Sequence, residues 1–493
     1  VDESVEAATR LRVKTRNVTE LDARIDRALE ETGLAAIADR PVKVLSGGQK
    51  RRLGLAMELV SDPKILLCDE VTSGLDPRSE REIVKLLHEL SRKEGRIVLS
   101  VTHSLAHLEL YDSILVLHEG RVAFHGPPDM LTHYFSVKDT EEVYPRLATQ
   151  ASDRWQSSWS KHREAYYEKI EKLREKNIRE GELHVPAIAA PKVAKAGEED
   201  EEQDEEPSVL TPSAMSQFIT LLSRRWRIFF RDRGQVFLQL AIMLCFPVLV
   251  SLFSEKANVP IRSLSDMRQS NVMEEITEQQ NVRQDTMKAG SAISGIIMFQ
   301  VVLLGLMGSN NSAREIAGER LIYEKEKFGG LRPSAYLASK VAFLSCLVVA
   351  QSLWMAVFVN FFSPFDGSFG QHALFLLLCN AAMTAVCLGI SAVMKTAEQA
   401  SLLSIYLVGF QLPLSGAVLA LPEKVEFFTR PFISAYWAWS GSVEALATGK
   451  NGAVKSVIST SINAQEMCLY LLGMHIAIGL LVSWLGAKRH QWE

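Results

Sequence analysis

The sequence predicts a chain of two structural classes: a layered α/β domain and, after it, an all-α polytopic membrane domain of six helices. Short apolar strands alternate with amphipathic helices up to about residue 137, the pattern of a mostly parallel sheet with helices packed against it. Beyond residue 235, six apolar runs are long enough to cross a bilayer, which takes about 20 residues. The averages, a net charge of −4 and 47% hydrophobic residues, hide this division.

Two helices are predicted early in the α/β part. Thr19 opens one of them, because Asp22 three residues later can complete a capping box and Gly33 suits the helix end. The other follows the segment Leu45–Gln49 and ends at Asp62, which precedes a proline.

Four short apolar runs are predicted strands, at 65–68, 97–101, 114–117 and 121–124. The first is continuously apolar, which predicts a strand buried on both faces. The turn Ser73–Pro77 separates this strand from the next helix, which Asp76 can cap with proline in its first turn. The alternation supports a mostly parallel sheet covered by helices.

Residues at the ends of two predicted strands suit phosphoryl transfer, which needs a metal ion, a positioned nucleophile and a cradle for the phosphates. Asp69 follows a buried strand, where ligands gather in open α/β sheets, and it can hold Mg²⁺ through water. Glu70 can orient or deprotonate an attacking water. His103 ends the neighbouring strand and is expected near the same phosphate.

The segment Ser46-Gly47-Gly48 leads into a helix N-terminus, where exposed N–H groups and the helix dipole favour a phosphate. Each of these motifs alone is usually a loop, a cap or a strand end. Their order and spacing within about sixty residues carry the prediction: LSGGQ, an apolar strand with Asp-Glu, SGLD, then a strand ending in histidine.

Residues 33–137 resemble the nucleotide-binding domain of ABC transporters, an α/β fold of the P-loop NTPase type. In that family LSGGQ is the signature motif, which contacts the ATP held by the opposite subunit, and the strand with Asp-Glu is Walker B. SGLD is the D-loop and the histidine is the switch residue. The resemblance implies catalytic roles for Glu70 and His103, Mg²⁺ at Asp69, and ATP contacts by Ser46, Gly47, Gly48, Gln49 and Asp76. Val71 replaces the proline usual after the glutamate.

The run LLCDEVTSGLD and the domain order are most similar to the G subfamily, the White-like and sterol-transporter-like half-transporters. There the ATPase precedes the membrane domain in one chain. The subfamily's signature often ends in glutamate, whereas Gln49 stands here. The segment Arg314–Arg320, with Tyr323–Glu326 after it, is similar to the coupling region of that subfamily. Its charges could pair with the Arg-rich helix before the first span, dock on the ATPase, or stay solvated.

The family's phosphate loop, G-x-x-x-x-G-K-[ST], has no match in these 493 residues. The Q-loop and the adenine-stacking aromatic, which lie upstream in the family, are missing too. N-terminal truncation is the expected reason, and a degenerate cassette is the alternative. The chain by itself is therefore not expected to hydrolyse ATP.

Four segments are predicted: residues 1–137 as the C-terminal part of the nucleotide-binding domain, 138–212 as a charged linker, 213–234 as an amphipathic connecting helix, and 235–493 as the six-span membrane domain. Within the linker, Trp155–Glu182 is expected to form an exposed helix, and the acidic block Glu198–Glu206 to be solvated. The connecting helix interleaves aromatic residues with arginines, as helices at the cytoplasmic membrane surface do.

The six spans are predicted at about 235–254, 290–309, 337–362, 372–394, 400–421 and 467–487. Lys and Arg concentrate before the first span, between the second and third, and after the last, so these segments are expected in the cytoplasm. No charged residue lies deep within a span, which favours an apolar or amphipathic cargo over an ion.

The motifs together predict an ATP-driven transporter that exports an apolar or amphipathic small molecule as a dimer of half-transporters. Its partners would be a second subunit, identical or different, the lipid bilayer and the cargo, and no nucleic acid is expected. Outer-loop cysteines of many eukaryotic members are absent, which favours a bacterial inner membrane with the ATPase domain in the cytoplasm. The alternative is a non-hydrolysing membrane protein whose degenerate cassette serves docking or sensing.

Overall fold

The computed structural model describes residues 1–15, 17–93, 95–179, 211–253, 272–364, 366–417 and 421–489. The chain divides into two compact units, Val1–Pro212 and Ser213–Glu493. The acidic block predicted at 198–206 lies outside the described residues, as do residues 254–271.

The first unit contains seven α-helices and four strands among its described residues. The helices are α1 Asp2–Arg12, α2 Val18–Glu31, α3 Gly47–Leu59, α4 Pro77–Ser91, α5 Leu131–Phe135, α6 Val143–Leu147 and α7 Ser152–Arg179. The strands are β1 Ile65–Asp69, β2 Ile97–Val101, β3 Ile114–His118 and β4 Arg121–Gly126. Strands β1 and β2 pair in parallel, from Ile65 opposite Ile97 to Asp69 opposite Val101, and β3 and β4 form an antiparallel hairpin.

The prediction that β1 is buried on both faces is wrong. Leu66 and Cys68 pack into a core with residues of α1 to α4, whereas Leu67 on the opposite face is 72% exposed. Strand side chains alternate between the two faces, and the described helices cover only one of them. Both faces of β1 are apolar and thus suited to burial, but the described residues cover only one of them.

Two further local predictions need correction. Helix α2 begins at Val18, not at Thr19, because the Asn17 side chain caps it by accepting the Thr19 amide at 3.1 Å. Helix α7 is not exposed throughout, since Trp155 and Trp159 are buried in an aromatic cluster with Phe124 on β4. The indole of Trp155 donates to the Leu147 carbonyl at 3.1 Å, so the first turns of α7 belong to the core of this unit.

The regular elements among the described residues of the second unit are helices. Its helices are α8 Ala214–Arg231, α9 Arg233–Ser251, α10 Val272–Ser312, α11 Arg320–Phe328, α12 Pro333–Phe362, α13 Phe369–Val393, α14 Ala397–Gln411, α15 Glu423–Thr429, α16 Ser434–Glu444, α17 Thr448–Val457 and α18 Gln465–Lys488. Helix α8 coincides with the predicted amphipathic helix, and Asp232 separates it from α9.

Five of the six predicted spans lie in described helices that are long and apolar enough to cross a membrane. They correspond to α9, α10, α12, α13 and α18. The fifth predicted span, 400–421, is shorter than expected: α14 has 15 residues and ends at Gln411. A short 3-10 turn over Pro413–Ser415 follows, because proline cannot continue the hydrogen bonding of an α-helix.

Helices α13 and α18 pack closely against each other. A Cβ added to Gly479 would lie 2.5 Å from the carbonyl carbon of Ala385, and one added to Gly389 would lie 3.0 Å from the carbonyl oxygen of Gly479. Small residues let helix backbones approach in this way, which is how membrane helices gain packing energy without a hydrophobic effect between them.

Candidate functional site

The segment before α3 is ordered by its own side chains. The Gln49 amide donates to Ser46 Oγ at 3.3 Å, and the Ser46 amide donates to Gln49 Oε1 at 3.0 Å. This reciprocal capping box satisfies two backbone donors of the first turn and sets the entry of the chain into α3. Gln49 therefore has a structural role whatever its role toward ATP.

The two glycines of this segment pack against the turn before α4. A Cβ at Gly47 would lie 3.3 Å from the Leu75 side chain, and a Cβ at Gly48 would lie 3.3 Å from Ser79 Oγ. Gly48 is buried. A larger residue at Gly48 would push the start of α3 away from α4, so the absence of a side chain holds the two helix N-termini side by side.

Asp76 caps α4. Its Oδ1 accepts the amides of Arg78 and Ser79 at 3.1 and 3.0 Å. The hydrogen bond from the Ser79 side chain, with help from that backbone amide, holds the pKa of Asp76 below its ordinary value. The carboxylate is thus ionised and fixed in direction at a helix N-terminus.

Asp69, Glu70 and His103 meet where β1 and β2 end. The strands are parallel, so their carboxyl ends lie at one edge, and the Glu70 amide donates to the Val101 carbonyl at 2.9 Å. His103 Nδ1 lies 3.5 Å from Glu70 Oε1, with the two side chains 65% and 54% exposed. Glu70 has φ of 45°, a left-handed conformation that non-glycine residues adopt at a cost and that is common at functional sites.

Contacts join the predicted site residues into two groups connected by the turn before α4. One group is Glu70 with His103 beside Asp69, and the other is Ser46–Gln49 packed on the Asp76 turn. The Ser73 amide donates to the Glu70 carbonyl at 3.1 Å, which ties the turn to the strand end.

Among the described residues, no group of three or more His, Cys, Asp or Glu side chains is arranged to hold a metal ion. Mg²⁺ bound with a nucleotide needs less than this, because it usually takes one or two carboxylates together with waters and phosphate oxygens. The exposed carboxylate of Asp69, at the end of β1, fits that requirement.

The membrane unit contains a second polar site, an ion-pair cluster formed by Arg224, Arg225, Glu315, Glu319, Glu326 and Lys340. Arg225 donates Nε and Nη2 to the two oxygens of Glu315, at 2.6 and 2.8 Å. Lys340 Nζ lies 3.1 Å from Glu315 Oε1 and also pairs with Glu319. The cluster connects α8, the segment after α10, α11 and α12.

Arg224 forms the second bidentate ion pair of the cluster, with Glu326. Its Nη2 donates to Glu326 Oε2 at 3.0 Å, and its Nη1 donates to the other carboxylate oxygen. Burial alone would lower the pKa of Arg224, but the hydrogen bond and charge of Glu326 outweigh it and raise the pKa. The sequence left three alternatives for the charges of this segment. Pairing with the Arg-rich helix is confirmed for Glu315 and Glu326.

Helix α11 also binds the ends of two membrane helices, which the sequence analysis missed. Arg320 Nη2 donates to the carbonyls of Ser391, Ala392 and Met394 at 2.9 to 3.0 Å, where α13 ends. Lys327 Nζ donates to three carbonyls at the end of α18, at 3.0 to 3.3 Å. The last carbonyls of a helix lack intrahelical partners and favour cations. The sequence shows the cations but not which helix ends they reach.

A chain of amide side chains crosses the interior of the membrane unit. Gln239 donates to Asn311 at 2.8 Å, Asn311 donates to Gln351 at 3.0 Å, and Asn380 donates to Gln351 at 3.3 Å. It links α9, α10, α12 and α13. The chain contains no charged residue, so the absence of charges from the spans gave no sign of it, whereas the Asn and Gln residues within the predicted spans are a sequence signal for it.

Comparison with known proteins gives matches in both units. Residues 216–436 match the family model described as ABC-2 type transporter, and residues 1–73 match the model described as ABC transporter. Rv1747 of Mycobacterium tuberculosis, an ABC transporter ATP-binding/permease protein, is 27% identical over 434 residues, 85% of this chain and 44% of that protein.

Two further relatives match over a shorter range. Protein white of Drosophila melanogaster is 41% identical over 121 residues, 23% of this chain and 18% of that protein. The broad substrate specificity ATP-binding cassette transporter ABCG2 of Bos taurus is 36% identical over 145 residues, 28% of this chain and 22% of that protein. The chain thus spans less than half the length of each of these curated relatives.

The resemblance to White-like transporters predicted from the motifs is confirmed by these relatives, and the partial α/β cassette followed by a helical membrane domain is confirmed by the family matches. The two matches and their order identify the chain as ABC transporter sequence, in which part of a nucleotide-binding domain precedes an ABC-2 type membrane domain.

Proposed function

We propose that the whole protein is an ATP-driven membrane transporter that works as a dimer of half-transporters. The observation that carries the proposal is the pairing of Glu70 with His103 at the end of β1 and β2, in a chain that continues into an ABC-2 type membrane domain. A carboxylate beside a histidine at a sheet edge is suited to handle the proton of an attacking water.

Each site residue has a role in this proposal. Glu70 orients and deprotonates the attacking water, and His103, 3.5 Å away, holds the Glu70 carboxylate and contacts the γ-phosphate. Asp69 would hold Mg²⁺ through water, and with such an ion bound the site would gain neutralisation of charge on the phosphates of ATP. The exposed positions of Glu70 and His103 leave room for a nucleotide to cover them.

The dimer follows from the division of the site into two groups. The capped start of α3, with Ser46, Gly47, Gly48 and Gln49, presents backbone N–H groups and the positive end of a helix dipole. In the resembled family this surface serves the ATP of the opposite subunit, with Asp76 beside it. A second subunit would therefore complete each pocket.

The ion-pair cluster supports coupling within the membrane unit. It attaches α8 to α12 and to the segment after α10, while Arg320 and Lys327 attach α11 to the ends of α13 and α18. A displacement of α11 would thus be passed to both helices. The cargo is proposed to be apolar or amphipathic and exported across a bacterial inner membrane, with the basic loops and the ATPase domain on the cytoplasmic side.

The test is ATP hydrolysis by the whole protein in proteoliposomes, wild type against Glu70→Gln. Loss of a general base lowers the rate by about 10²-fold or more. Glu109→Gln is a matched control, because Glu109 also faces a histidine, at 3.7 Å from His107, and is 67% exposed. We expect the control to stay within about twofold of wild type.

Two outcomes would contradict parts of the proposal. Equal rates for wild type and Glu70→Gln would remove the catalytic assignment. No hydrolysis by the wild-type protein, with ATP binding retained, would favour the alternative of a cassette used for docking or sensing.

A further inference from the structure

We propose that a cavity inside the membrane unit is a binding site for an amphiphile with an anionic head group. The cavity lies among α8, α9, α10, α12 and α14 and has a volume of about 620 Å³. Ligand sites in proteins typically measure about 300 to 1,000 Å³. The proposal goes beyond ATP-driven transport, since binding at this site requires no nucleotide.

The charged end of the cavity carries a surplus positive charge. Three cations and two carboxylates line it: Arg225, Arg314, Lys340, Glu315 and Glu319. Glu315 is shared by Arg225 and Lys340, and Glu319 pairs with Lys340. Arg314 is the cation left over, because no carboxylate of the described residues lies within ion-pair distance of it.

Arg314 is held in place by a neutral partner. Its Nε donates to Ser401 Oγ on α14 at 2.6 Å, and Ser401 is 9% exposed. A guanidinium has five N–H donors in a planar fork, so this single bond orients the group and leaves further donors for a ligand. Phosphate and carboxylate groups match such a fork with two parallel hydrogen bonds.

Neutral amides stand beside these charges. Asn310 lines the cavity and is exposed, and its side chain makes no hydrogen bond with other described residues. Its neighbour Asn311 is already occupied by the amide chain through Gln239 and Gln351. Asn310 can therefore donate to a head group without breaking an existing bond.

Apolar, exposed side chains also line the cavity. Leu238 of α9, Leu306 of α10 and Ile405 of α14 line it and are 54%, 38% and 59% exposed. In a membrane, an acyl chain can lie along these side chains while its head group reaches Arg314. A free anion would use only the charged end, and a cationic amphiphile would meet the surplus positive charge.

The experiment measures binding without ATP. The purified protein in phosphatidylcholine nanodiscs is titrated with a fluorescent lysophosphatidic acid, with empty nanodiscs as the baseline. We expect Arg314→Gln to raise the Kd about tenfold, the effect of one charge-assisted contact. Lys395→Gln is the matched control, because Lys395 is an exposed cation of the same unit that does not line the cavity. Its Kd should change less than about twofold.

Two further arms separate the chemistry of the ligand. Lysophosphatidylcholine with the same tail should bind more weakly than lysophosphatidic acid, and Leu306→Asn should weaken binding of the acid through loss of apolar contact. Inorganic phosphate at the same concentration should not displace the probe.

Equal Kd values for Arg314→Gln and Lys395→Gln, equal affinity for the two lipids, or displacement by phosphate alone would each overturn the proposal. An unchanged unfolding midpoint for Arg314→Gln shows that lost binding is not lost folding.

Discussion

Replacing Glu315 by glutamine removes one charge from the centre of the ion-pair cluster while keeping the shape of the side chain. Glu315 is 7% exposed as a side chain and accepts two hydrogen bonds from Arg225 and one from Lys340. The substitution removes the carboxylate that pairs with Arg225. The guanidinium of Arg225, whose side chain is only 13% exposed, therefore loses this ion pair.

The expected loss follows from burial. Removing one partner of a buried ion pair costs about 3 to 5 kcal/mol, because the other charge stays desolvated and uncompensated. The value here should lie near the lower limit, about 3 kcal/mol, since Lys340 keeps Glu319 and Arg225 lies 4.2 Å from the centre of the Phe343 ring. Replacing Arg225 by glutamine as well should recover about 1 kcal/mol or more, because no stranded charge remains.

Labelling of Cys379 and Cys387, distinguished from the buried Cys68 of the first unit by mass spectrometry of the labelled peptides, reports on this unit specifically. Cys379 and Cys387 on α13 are buried, whereas Cys245 and Cys346 are exposed free thiols. The first pair should react with a maleimide only when the helices separate, so the fraction labelled along a titration with sodium dodecyl sulfate measures unfolding. Glu278→Gln, on an exposed part of α10, is the control and should shift the free energy by less than about 0.5 kcal/mol.

The reasoning would be refuted if Glu315→Gln and Glu278→Gln unfolded at the same detergent concentration. It would also fail if the double variant with Arg225→Gln lost the sum of the two single losses, since additive losses mean that the two side chains do not interact.

Three further predictions concern single contacts. Arg320→Gln should destabilise the membrane unit by about 2 kcal/mol, because the guanidinium donates to three carbonyls at the end of α13; equal labelling curves for variant and wild type would contradict this. Gly479→Ala should destabilise by about 1 to 3 kcal/mol through overlap with the α13 backbone, whereas Gly473→Ala, with nothing within 4 Å of the added Cβ, should be neutral or stabilising; the same sign for both would refute the packing argument. Ser46→Ala should weaken the first turn of α3 by about 1 kcal/mol, measured as faster amide hydrogen exchange there, and unchanged exchange would show that the capping box contributes nothing.

Much of the site in the first unit could be predicted from the sequence because its geometry is local. Parallel strands place their carboxyl ends at one edge, so two strand-end residues such as Glu70 and His103 were expected to meet, and they lie 3.5 Å apart. The one-sided burial of β1 could not be predicted in this way, because an apolar run shows which faces suit burial and not which face other segments cover.

In the membrane unit the sequence located five helices able to span, because length and hydropathy are properties of a continuous segment. It overestimated the segment at 400–421, where α14 stops at Gln411 although apolar residues continue. The sequence also left three alternatives open for the charges between Arg314 and Glu326: pairing with the Arg-rich helix, docking on the ATPase, or solvation.

Local patterning was thus enough to specify the family, the strand ends, the capped start of α3 and most of the membrane helices. Long-range packing settled the rest. Arg225 and Glu315 are 90 positions apart in the chain, and Arg314 and Ser401 are 87 apart. A buried charge is stable only beside its partner, and which partner it has depends on how the helices pack. The pairings, and the surplus charge on Arg314 that they leave in the cavity, are therefore consequences of the tertiary fold.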